Sequence, residues 1–404
     1  MPVEQRFVAG LCWQPLFMFR PLPWEYGIRN LLRRPLRSAL TLAGLTTVTL
    51  LVLLVLGFVR GLDRSLALSG DPQTVIVFSL GMGQNLEYSS VPMRTADLLS
   101  SSVQGVHERY GKQYASPELF LGTRVGTTGD GPTSMGLVRG LTPAALLVHR
   151  RVEIVEGHWP KPGEVLVGRL CATKLGINPH DLRPGQSINF EGREWTIAGT
   201  FSAAGAAFES ELWCRLDDLQ QILKRQDLSL VAVTLGASAA FEDVDLFCKE
   251  RVDLELQAIR QTDYFESLRK DYQPVRWLAW FVVLLVSGAG VFVGLNTMSG
   301  AVVGRIREIA TLQTIGFSRR AAILSVVQEG TILSMSGALL ASALAYLFVN
   351  GVAVRFTMGA FELQIDSGTL LYGYGIALFL GVCGSLPPAI RLFRMSVVDG
   401  LKAV

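Results

Sequence analysis

Four long apolar runs without a charged residue divide this chain. They lie at Ala39–Val59, Trp277–Gly304, Gly330–Val354 and Ser367–Ile390. At about 1.5 Å rise per residue, roughly 20 helical residues cross the ~30 Å hydrocarbon core of a bilayer. The pattern therefore predicts four transmembrane helices, since four runs of this length are not typical of soluble cores. The first run is too long, and too far from the start, for a cleaved signal peptide.

The stretch between the first two runs has ordinary globular character. Residues Arg60–Arg276 carry 23 basic and 27 acidic side chains. Repeated proline and glycine turn signals in Gly157–Phe201 predict a compact β-rich module. Before the second run, apolar residues recur at helical steps of three and four: Phe265, Leu268, Tyr272 and Val275. We expect a two-part α+β head on a stalk of two helices that continue from the first two spans.

Basic residues concentrate in three segments, which lie before the first run, between the second and third, and after the fourth. These segments hold 13 basic and four acidic residues. Short loops rich in Arg and Lys stay in the cytoplasm. Both termini and the middle loop are therefore predicted to be cytoplasmic, and the head extracytoplasmic.

This orientation defines the predicted segments. They are an N-terminal cytoplasmic amphipathic segment (1–38), transmembrane helices (39–60, 277–304, 321–354, 367–390), the extracytoplasmic α+β domain with its helical stalk (61–276), a cytoplasmic loop (305–320), an external loop (355–366) and a cytoplasmic tail (391–404). The fold class is an α-helical membrane protein with a large α+β domain inserted between helices 1 and 2.

Composition supports the same class of protein. Of 404 residues, 50% are hydrophobic and 18% charged, against about 25% charged in soluble chains. This excludes a disordered chain, and a net charge of +3 gives no reason to expect a nucleic-acid partner. The five cysteines lack CxxC spacing, so neither a zinc site nor a disulfide framework is predicted. A Cys171–Cys214 pair is left open, and buried single thiols are the default.

No catalytic motif stands out. The carboxylates of the head sit among turns, where solvated surface charge is the ordinary interpretation: Glu153, Glu156, Glu164, Asp217 and Asp218. His107-Glu108 lacks the second histidine of a zinc HExxH motif, and no GxSxG occurs. None of the seven lysines precedes Ser or Thr, so a phosphate-binding Walker A loop is absent. The chain is not expected to be an enzyme, and any ATP would be bound by another polypeptide.

The stretch Asn296–Gly330 carries the most information. Residues 305–312 are expected to continue a helix out of the membrane, with Ile306, Ile309 and Ala310 on one face. Gly316 can end this helix in a left-handed conformation, and two arginines follow at headgroup level: Arg319 and Arg320. A short rigid helix of this kind would act as a lever.

This stretch resembles the permease subunits of MacB/FtsX/LolC-type ABC systems. The shared pattern is Asn296-Thr297-Met298, then RxREIAxL at Arg305–Leu312, Ile315-Gly316, paired basic residues and Glu329. The segment from Arg29 to Gly44 and the tail from Pro387 to Leu401 are similar to the family's ends. Phe317, Val397 and Lys402 depart from its usual residues.

The resemblance implies a coupling helix that fits a nucleotide-binding partner. The residues expected to serve this coupling are Arg305, Arg307, Glu308, Ile309, Leu312, Gly316, Arg319 and Arg320. It also implies a separate ABC ATPase in two copies, which would bind ATP and Mg²⁺, and a second permease protomer, identical or paralogous. A membrane-fusion adaptor and membrane lipids are further expected partners, and no cofactor is expected to bind this chain directly.

The implied function is mechanotransmission in the bacterial inner membrane. ATP hydrolysis would move the head and export or extract an amphiphile such as a lipid, lipoprotein, drug or peptide. Two alternatives stay open: a non-transporting regulator of an external cell-wall hydrolase, and a peptide sensor.

Two features of the spans complete the prediction. Glu329, expected near the membrane boundary where the third span begins, favours a structural salt link to Arg305 or Arg307. Gly290 and Gly294 form a GxxxG pattern on the second span, which permits close helix packing.

Overall fold

The fold was obtained as a computed structural model. It describes residues 29 and 31–394, except 84, 104, 110, 128–132, 237–240 and 357–358, with backbone alone at 392–394. The helices, in chain order, are α1 (Pro35–Ser69), α2 (Thr95–Ser102), α3 (Ala145–Val148), α4 (Cys171–Leu175), α5 (Leu216–Leu223), α6 (Phe241–Glu250), α7 (Gln261–Asp271), α8 (Gln273–Val303), α9 (Ile306–Thr314), α10 (Arg319–Phe348) and α11 (Ser367–Arg394). Single 3₁₀ turns lie at Leu86–Tyr88, Pro179–Leu182, Ala207–Ser210 and Val252–Leu254.

The strands are mostly short. They are β1 (Thr74–Ser79), β2 (Val91–Pro92), β3 (Glu108–Arg109), β4 (Lys112–Gln113), β5 (Ala115–Thr127), β6 (Ser134–Leu141), β7 (Glu153–Gly157), β8 (Glu164–Gly168), β9 (Ser187–Phe190), β10 (Arg193–Ser202), β11 (Leu212–Arg215), β12 (Asp227–Leu228), β13 (Leu230–Thr234), β14 (Leu256–Arg260), β15 (Ala353–Arg355) and β16 (Ala360–Glu362).

Four helices of the described chain are long and apolar enough to cross a membrane: α1, α8, α10 and α11. This confirms the four predicted apolar helices. Helix α1 extends ten residues past the first apolar run and ends at Ser69, just before Asp71-Pro72, where proline cannot continue it. An α+β head follows between α1 and α8, as the sequence pattern predicts.

The main strands of the head pair into one sheet, and part of this sheet closes on itself as a barrel. The order β14-β1-β13-β5 is antiparallel throughout. From β5 the pairing continues through β6, β11, β8, β10 and β9, and β9 pairs back onto β5. These six strands therefore close a small barrel, which removes the exposed sheet edges that β5 and β9 would otherwise present.

The predicted β-rich module covers only part of this barrel. Strands β5 and β6 lie outside Gly157–Phe201, yet they supply the barrel's longest pair. Their apolar alternation is interrupted by Pro117, Gly122 and Gly126, so sequence periodicity does not reveal them. Within the barrel, the aromatic rings of Phe190 and Trp195 stack with their centroids 4.6 Å apart, and both side chains are fully buried.

Two compact units make up the chain. One contains the head, from Gly57 to Leu278, together with the loop Val349–Gln364 that joins α10 to α11. The other contains the remaining parts of the long helices. Within the first unit, the loop folds as the hairpin β15–β16, and the backbone N–H of Gln364 donates to the carbonyl of Gly57 on α1 (3.2 Å).

Glycines set the close contacts inside the helical unit. A Cβ on Gly290 of α8 would lie 2.8 Å from Val48 of α1 and 3.1 Å from Leu380 of α11. A Cβ on Gly294 would lie 3.2 Å from the Cα of Gly384. The GxxxG pattern of the second span therefore brings helices of the same chain together.

Candidate functional site

Helix α9 is a short amphipathic helix at the end of the long helix α8. Its apolar residue Ile309 is buried against Val302, Ala322 and Val326, and Ile306 packs against the same cluster. Ala310 is buried as well. The predicted apolar face is thus the packed face. Arg307, Glu308 and Thr311 are exposed on the opposite side.

A turn separates α9 from α8, although the sequence pattern predicted a continuous helix. Helix α8 ends at Val303, and Arg305 has a non-helical backbone (φ −127°, ψ 10°). Gly304 leaves room here: a Cβ at this position would meet the Arg34 guanidinium at 2.8 Å. At this break the Arg305 side chain turns inward, toward Glu329.

At its other end, α9 closes with the hydrogen bonds of a Schellman motif. The N–H of Gly316 donates to the carbonyl of Gln313, and that of Phe317 to the carbonyl of Leu312, both at 3.1 Å. Gly316 has φ +105°, a conformation that L side chains rarely adopt. The sequence-based prediction that Gly316 ends this helix is confirmed.

Arg305 and Glu329 form a nearly buried ion pair beneath α9. The two guanidinium nitrogens of Arg305 donate to the carboxylate of Glu329 at 2.8 and 3.2 Å. Their side chains are only 13% and 7% exposed. The expected salt link is thus made by Arg305. Glu329 does not sit where its helix begins, however, because it lies ten residues into α10, about 15 Å along the axis.

The ion pair gives Arg305 a different role from the ATPase contact predicted for it as a coupling residue. Its guanidinium is turned inward, so Arg305 positions α9 against α10. Of the other predicted coupling residues, Ile309 is buried and Leu312 half-buried, whereas Arg307, Glu308, Gly316, Arg319 and Arg320 are exposed. Arg319 and Arg320 open helix α10, and Ser318 caps it by accepting a hydrogen bond from the N–H of Ala321 (3.2 Å).

One residue of the exposed face was missed at the sequence level. Ile315, at the C-terminal end of α9, is 71% exposed. It follows Thr311 by four residues and Glu308 by seven, which places all three on one helical face. This helical spacing is the signal that could have identified Ile315. An apolar side chain beside a charged one suits a docking surface.

The head contains a buried ionic network that the sequence did not indicate. Arg139 donates to both oxygens of Glu211 (2.8 and 2.6 Å) and to Glu118 (2.8 Å). Nε2 of His149 lies 2.7 Å from the other oxygen of Glu118. Trp213 donates its indole N–H to Glu211 (2.8 Å). All four ionisable side chains are at most 6% exposed.

Electrostatics keeps Glu118 and Arg139 of this network charged. Burial by itself raises the pKa of Glu118, but the charges and hydrogen bonds of His149 and Arg139 outweigh it and set that pKa at about 2. Burial lowers the pKa of Arg139, and Glu211 and Glu118 more than compensate, so its pKa is raised. Strands β5 and β6 bring Glu118 and Arg139 together, whereas their sequence separation gives no hint of contact.

Most carboxylates considered at the sequence level lie apart from this network. Glu153, Glu156 and Asp217 are exposed. Asp218 is buried, contrary to the surface interpretation, because its carboxylate accepts a hydrogen bond from the N–H of Gly163 (2.9 Å). Among the described residues, no three His, Cys, Asp or Glu side chains gather as metal ligands.

The thiols within the described ranges are unpaired. Cys171, Cys214 and Cys248 of the head are buried single thiols, so the open Cys171–Cys214 pair does not form. Burial raises the pKa of Cys171 and of Cys248 to about 12, which keeps both thiols protonated and unreactive. Cys12 lies outside the described residues.

Comparison with known proteins supplies the family. The family model described as FtsX-like permease C-terminal matches residues 280–397. The model described as MacB-like periplasmic core domain matches residues 38–245, more than half of the chain. No curated protein matches.

Three solved structures illustrate the similarity of the head. The periplasmic region of MacB from Actinobacillus actinomycetemcomitans is 10% identical, with a TM-score of 0.38, and the match covers 50% of this chain and 94% of that one. A permease-protein domain from Porphyromonas gingivalis is 18% identical (TM-score 0.34; 46% and 88% covered). The extracellular domain of the noncanonical ABC-type transporter YknZ from Gram-positive bacteria is 13% identical (TM-score 0.35; 46% and 99% covered).

The two family models divide the chain as the fold does, with one covering α1 and most of the head and the other covering the last three long helices and α9. The extent of these matches, together with the four apolar helices, identifies a membrane protein. This chain belongs to the MacB/FtsX family of ABC-transporter permeases.

Proposed function

We propose that this chain couples ATP hydrolysis by a separate ATPase to movement of its extracytoplasmic head, and thereby exports or extracts an amphiphilic substrate. Family members are permeases that work with ATPase subunits. The observation that carries the proposal is helix α9, whose apolar face is packed and whose outer face is exposed. An exposed amphipathic helix held at both ends is suited to transmit force from a partner.

The outer face of α9 is the proposed docking surface for the ATPase. Glu308 and Ile315 would contact a groove of the partner, with Arg307 and the arginines Arg319 and Arg320 at its edge. Glu308 forms an ion pair with Arg33 at 4.0 Å, in which both side chains are about half exposed or more. Such a pair contributes at most about 1 kcal/mol, so a partner can replace it easily.

Force applied at α9 would reach the long helices through the Arg305–Glu329 pair. Breaking one partner of a buried pair costs roughly 3–5 kcal/mol, so α9 and α10 should move together. Helices α1 and α8 then run continuously into the head, and the loop between α10 and α11 packs with the head as well. Motion could therefore arrive at the head through three segments, namely α1, α8 and the loop between α10 and α11.

The proposed complex contains two ATPase subunits, a second permease protomer and ATP with Mg²⁺ bound by the ATPases. The proposed orientation places both termini and α9 in the cytoplasm of a bacterial inner membrane, with the segment boundaries given above. A membrane-fusion adaptor would accompany export, whereas a cell-wall hydrolase would indicate regulation.

The test is purification of the tagged full chain from its native membrane in mild detergent, followed by identification of co-purifying proteins. We expect an ABC ATPase with the wild type, and its loss with Glu308→Lys and with Ile315→Asp. Glu153→Lys, a change at an exposed glutamate of the head, is the matched control and should retain it.

Absence of any ATPase, under conditions that preserve other membrane complexes, would contradict the proposal. Retention of the ATPase by both α9 variants would contradict the docking surface alone. An adaptor or a hydrolase in the same sample decides between export and regulation.

A further inference from the structure

A cavity of about 460 Å³ lies within the head unit, beside the buried ionic network. Small-molecule sites commonly have volumes of roughly 300–1,000 Å³. Arg139, Glu118, Glu211 and His149 form its polar wall. The remaining wall is mostly apolar, so the cavity combines an apolar interior with a few charged groups.

Aromatic rings line much of the cavity. Phe120, Phe208, Tyr264, Phe265, Phe356 and Phe361 all contribute. The guanidinium of Arg139 already lies over two of them, 4.1 Å from the centroid of Phe120 and 5.0 Å from that of Phe208. Ring faces attract cations, and this attraction grows when the site excludes water.

The charged groups of the lining have a negative balance. The lining contains four carboxylates, Glu87, Glu118, Glu211 and Asp271, against Arg139 and His149. Carboxylates therefore outnumber cations even when His149 is protonated. Arg139 pairs with both Glu118 and Glu211 but carries one charge against their two, and Glu87 (half-buried) and Asp271 (exposed) add further negative charge.

Tyr264 adds a neutral hydroxyl to this wall. Burial raises its pKa to about 12, with smaller effects from Arg139, Glu211 and Glu87. The phenol therefore stays protonated at neutral pH. It contributes hydrogen-bonding capacity without changing the charge balance.

We propose that this cavity binds an organic cation, a protonated amine carried on an apolar body. Aromatic faces and surplus carboxylates favour an ammonium group, the apolar walls accept its body, and the same charges disfavour carboxylate or phosphate amphiphiles. That this ligand is also the transported substrate rests on the proposed function.

The position of the cavity connects binding with transmission. Its walls include Leu62 and Leu66 of α1, Phe265 and Leu268 of α7, and Phe356 and Phe361 of the loop between α10 and α11. Helix α1 and the loop are two of the connections through which motion is proposed to reach the head, and α7 leads directly into the third, α8. Movement of any one of them changes the cavity's shape, and therefore its affinity for a ligand.

The test is equilibrium dialysis of the full chain in lipid nanodiscs at pH 7, with empty nanodiscs subtracted. The probes share one body and differ in head group: phenylbutylamine, phenylbutanol and phenylbutyrate. We expect the amine to bind about tenfold more tightly than the alcohol, and the carboxylate most weakly. Equal binding of the amine and the alcohol overturns the proposal.

Variants locate the binding in the cavity. Glu87→Gln should weaken amine binding several-fold and leave alcohol binding unchanged, and Ala207→Trp, which fills the cavity, should weaken both. Glu153→Gln, at an exposed carboxylate outside the lining, is the control. Thermal unfolding of each variant confirms that it is folded.

Unchanged amine binding in folded Ala207→Trp overturns the assignment to this cavity. These measurements need no ATPase, so loss of amine binding with an intact ATPase complex refutes this inference alone. Amine binding without any ATPase refutes only the proposed function.

Discussion

Arg169 of the head donates to Glu362, on the loop between α10 and α11, across 2.6 Å. Its other terminal nitrogen donates to the buried Glu209 at 2.8 Å. Glu209 also accepts hydrogen bonds from the backbone N–H groups of Ala203 and Gly205. One guanidinium therefore joins this loop to a rigid part of the head.

Breaking the Arg169–Glu362 contact should reduce the coupling of the head to the ATPase more than it reduces the stability of the fold. Arg169 is about half exposed, so Glu362→Gln should cost at most about 1 kcal/mol of unfolding free energy. The link between the loop and the head would be weakened, and we expect a several-fold loss of transport-coupled ATPase stimulation with the ATPase still bound. Steady-state ATPase assays of the reconstituted complex measure this. Glu191→Gln, at a carboxylate paired with Thr123 elsewhere in the head, should behave like the wild type.

Breaking the Arg305–Glu329 pair should, in contrast, lower the stability of the fold substantially. Glu329→Leu leaves a charged guanidinium nearly buried without its partner, which costs roughly 3–5 kcal/mol. The double change Arg305→Leu with Glu329→Leu removes both charges and should recover much of that loss. Thermal unfolding in nanodiscs is measured for Arg305→Leu, Glu329→Leu and the double variant, which together with the wild type form a double-mutant cycle.

Arg33→Leu provides the comparison for that cycle, because the exposed Arg33–Glu308 pair should contribute almost nothing. A double variant as unstable as the sum of its single changes would show that the pair has no coupling energy.

The buried network gives the head a defined acid sensitivity. The pKa of Glu118 is held at about 2, below its ordinary value of 4.5, by His149 and Arg139 against the effect of burial. Its stabilising contribution is therefore complete above pH 4.5 and is lost as the pH falls toward 2. We expect the unfolding temperature, followed by tryptophan fluorescence, to fall through this window.

In the same window, Glu118→Gln should show a flatter profile, starting from a lower unfolding temperature at pH 7. Glu153→Gln should retain the wild-type profile. A wild-type slope in Glu118→Gln would assign the acid sensitivity to other groups.

Helix packing can be tested with two glycines on the same span. A side chain at Gly290 meets Val48 and Leu380, whereas nothing lies within 4 Å of a Cβ on Gly288. Gly290→Leu should therefore cost about 1–3 kcal/mol through overpacking, and Gly288→Leu should be nearly neutral. Thermal unfolding of the two variants distinguishes them, and equal stability would place the tight contact elsewhere.

Local patterns predicted much of the helical part. Apolar runs revealed α1, α8, α10 and α11, because a span must satisfy its backbone hydrogen bonds within the helix and face lipid. Gly316 marked the end of α9, since the conformation required there strongly favours glycine. The break at Arg305 was missed, and so was the inward course of its side chain, because Glu329, the residue it contacts, lies 24 residues away.

The head was less accessible to sequence reasoning. Glu118 and Arg139 lie on paired strands, and Glu211 precedes another strand of the same barrel. Pairing of distant strands sets their register, and no short-range pattern encodes it. The aromatic cavity has the same origin, because its walls come from segments at Leu62, Phe120, Phe265 and Phe361.

The sequence by itself determined the class of protein, its four apolar helices, the inserted head and the motif that identifies the family. Those features are local, since hydrophobic length, turn chemistry and residue order act within a few helical turns. Only the tertiary structure decided which charges are buried together, which glycines touch and where the cavity lies. These depend on side chains far apart in the chain meeting at atomic distance, and burial then sets their energies.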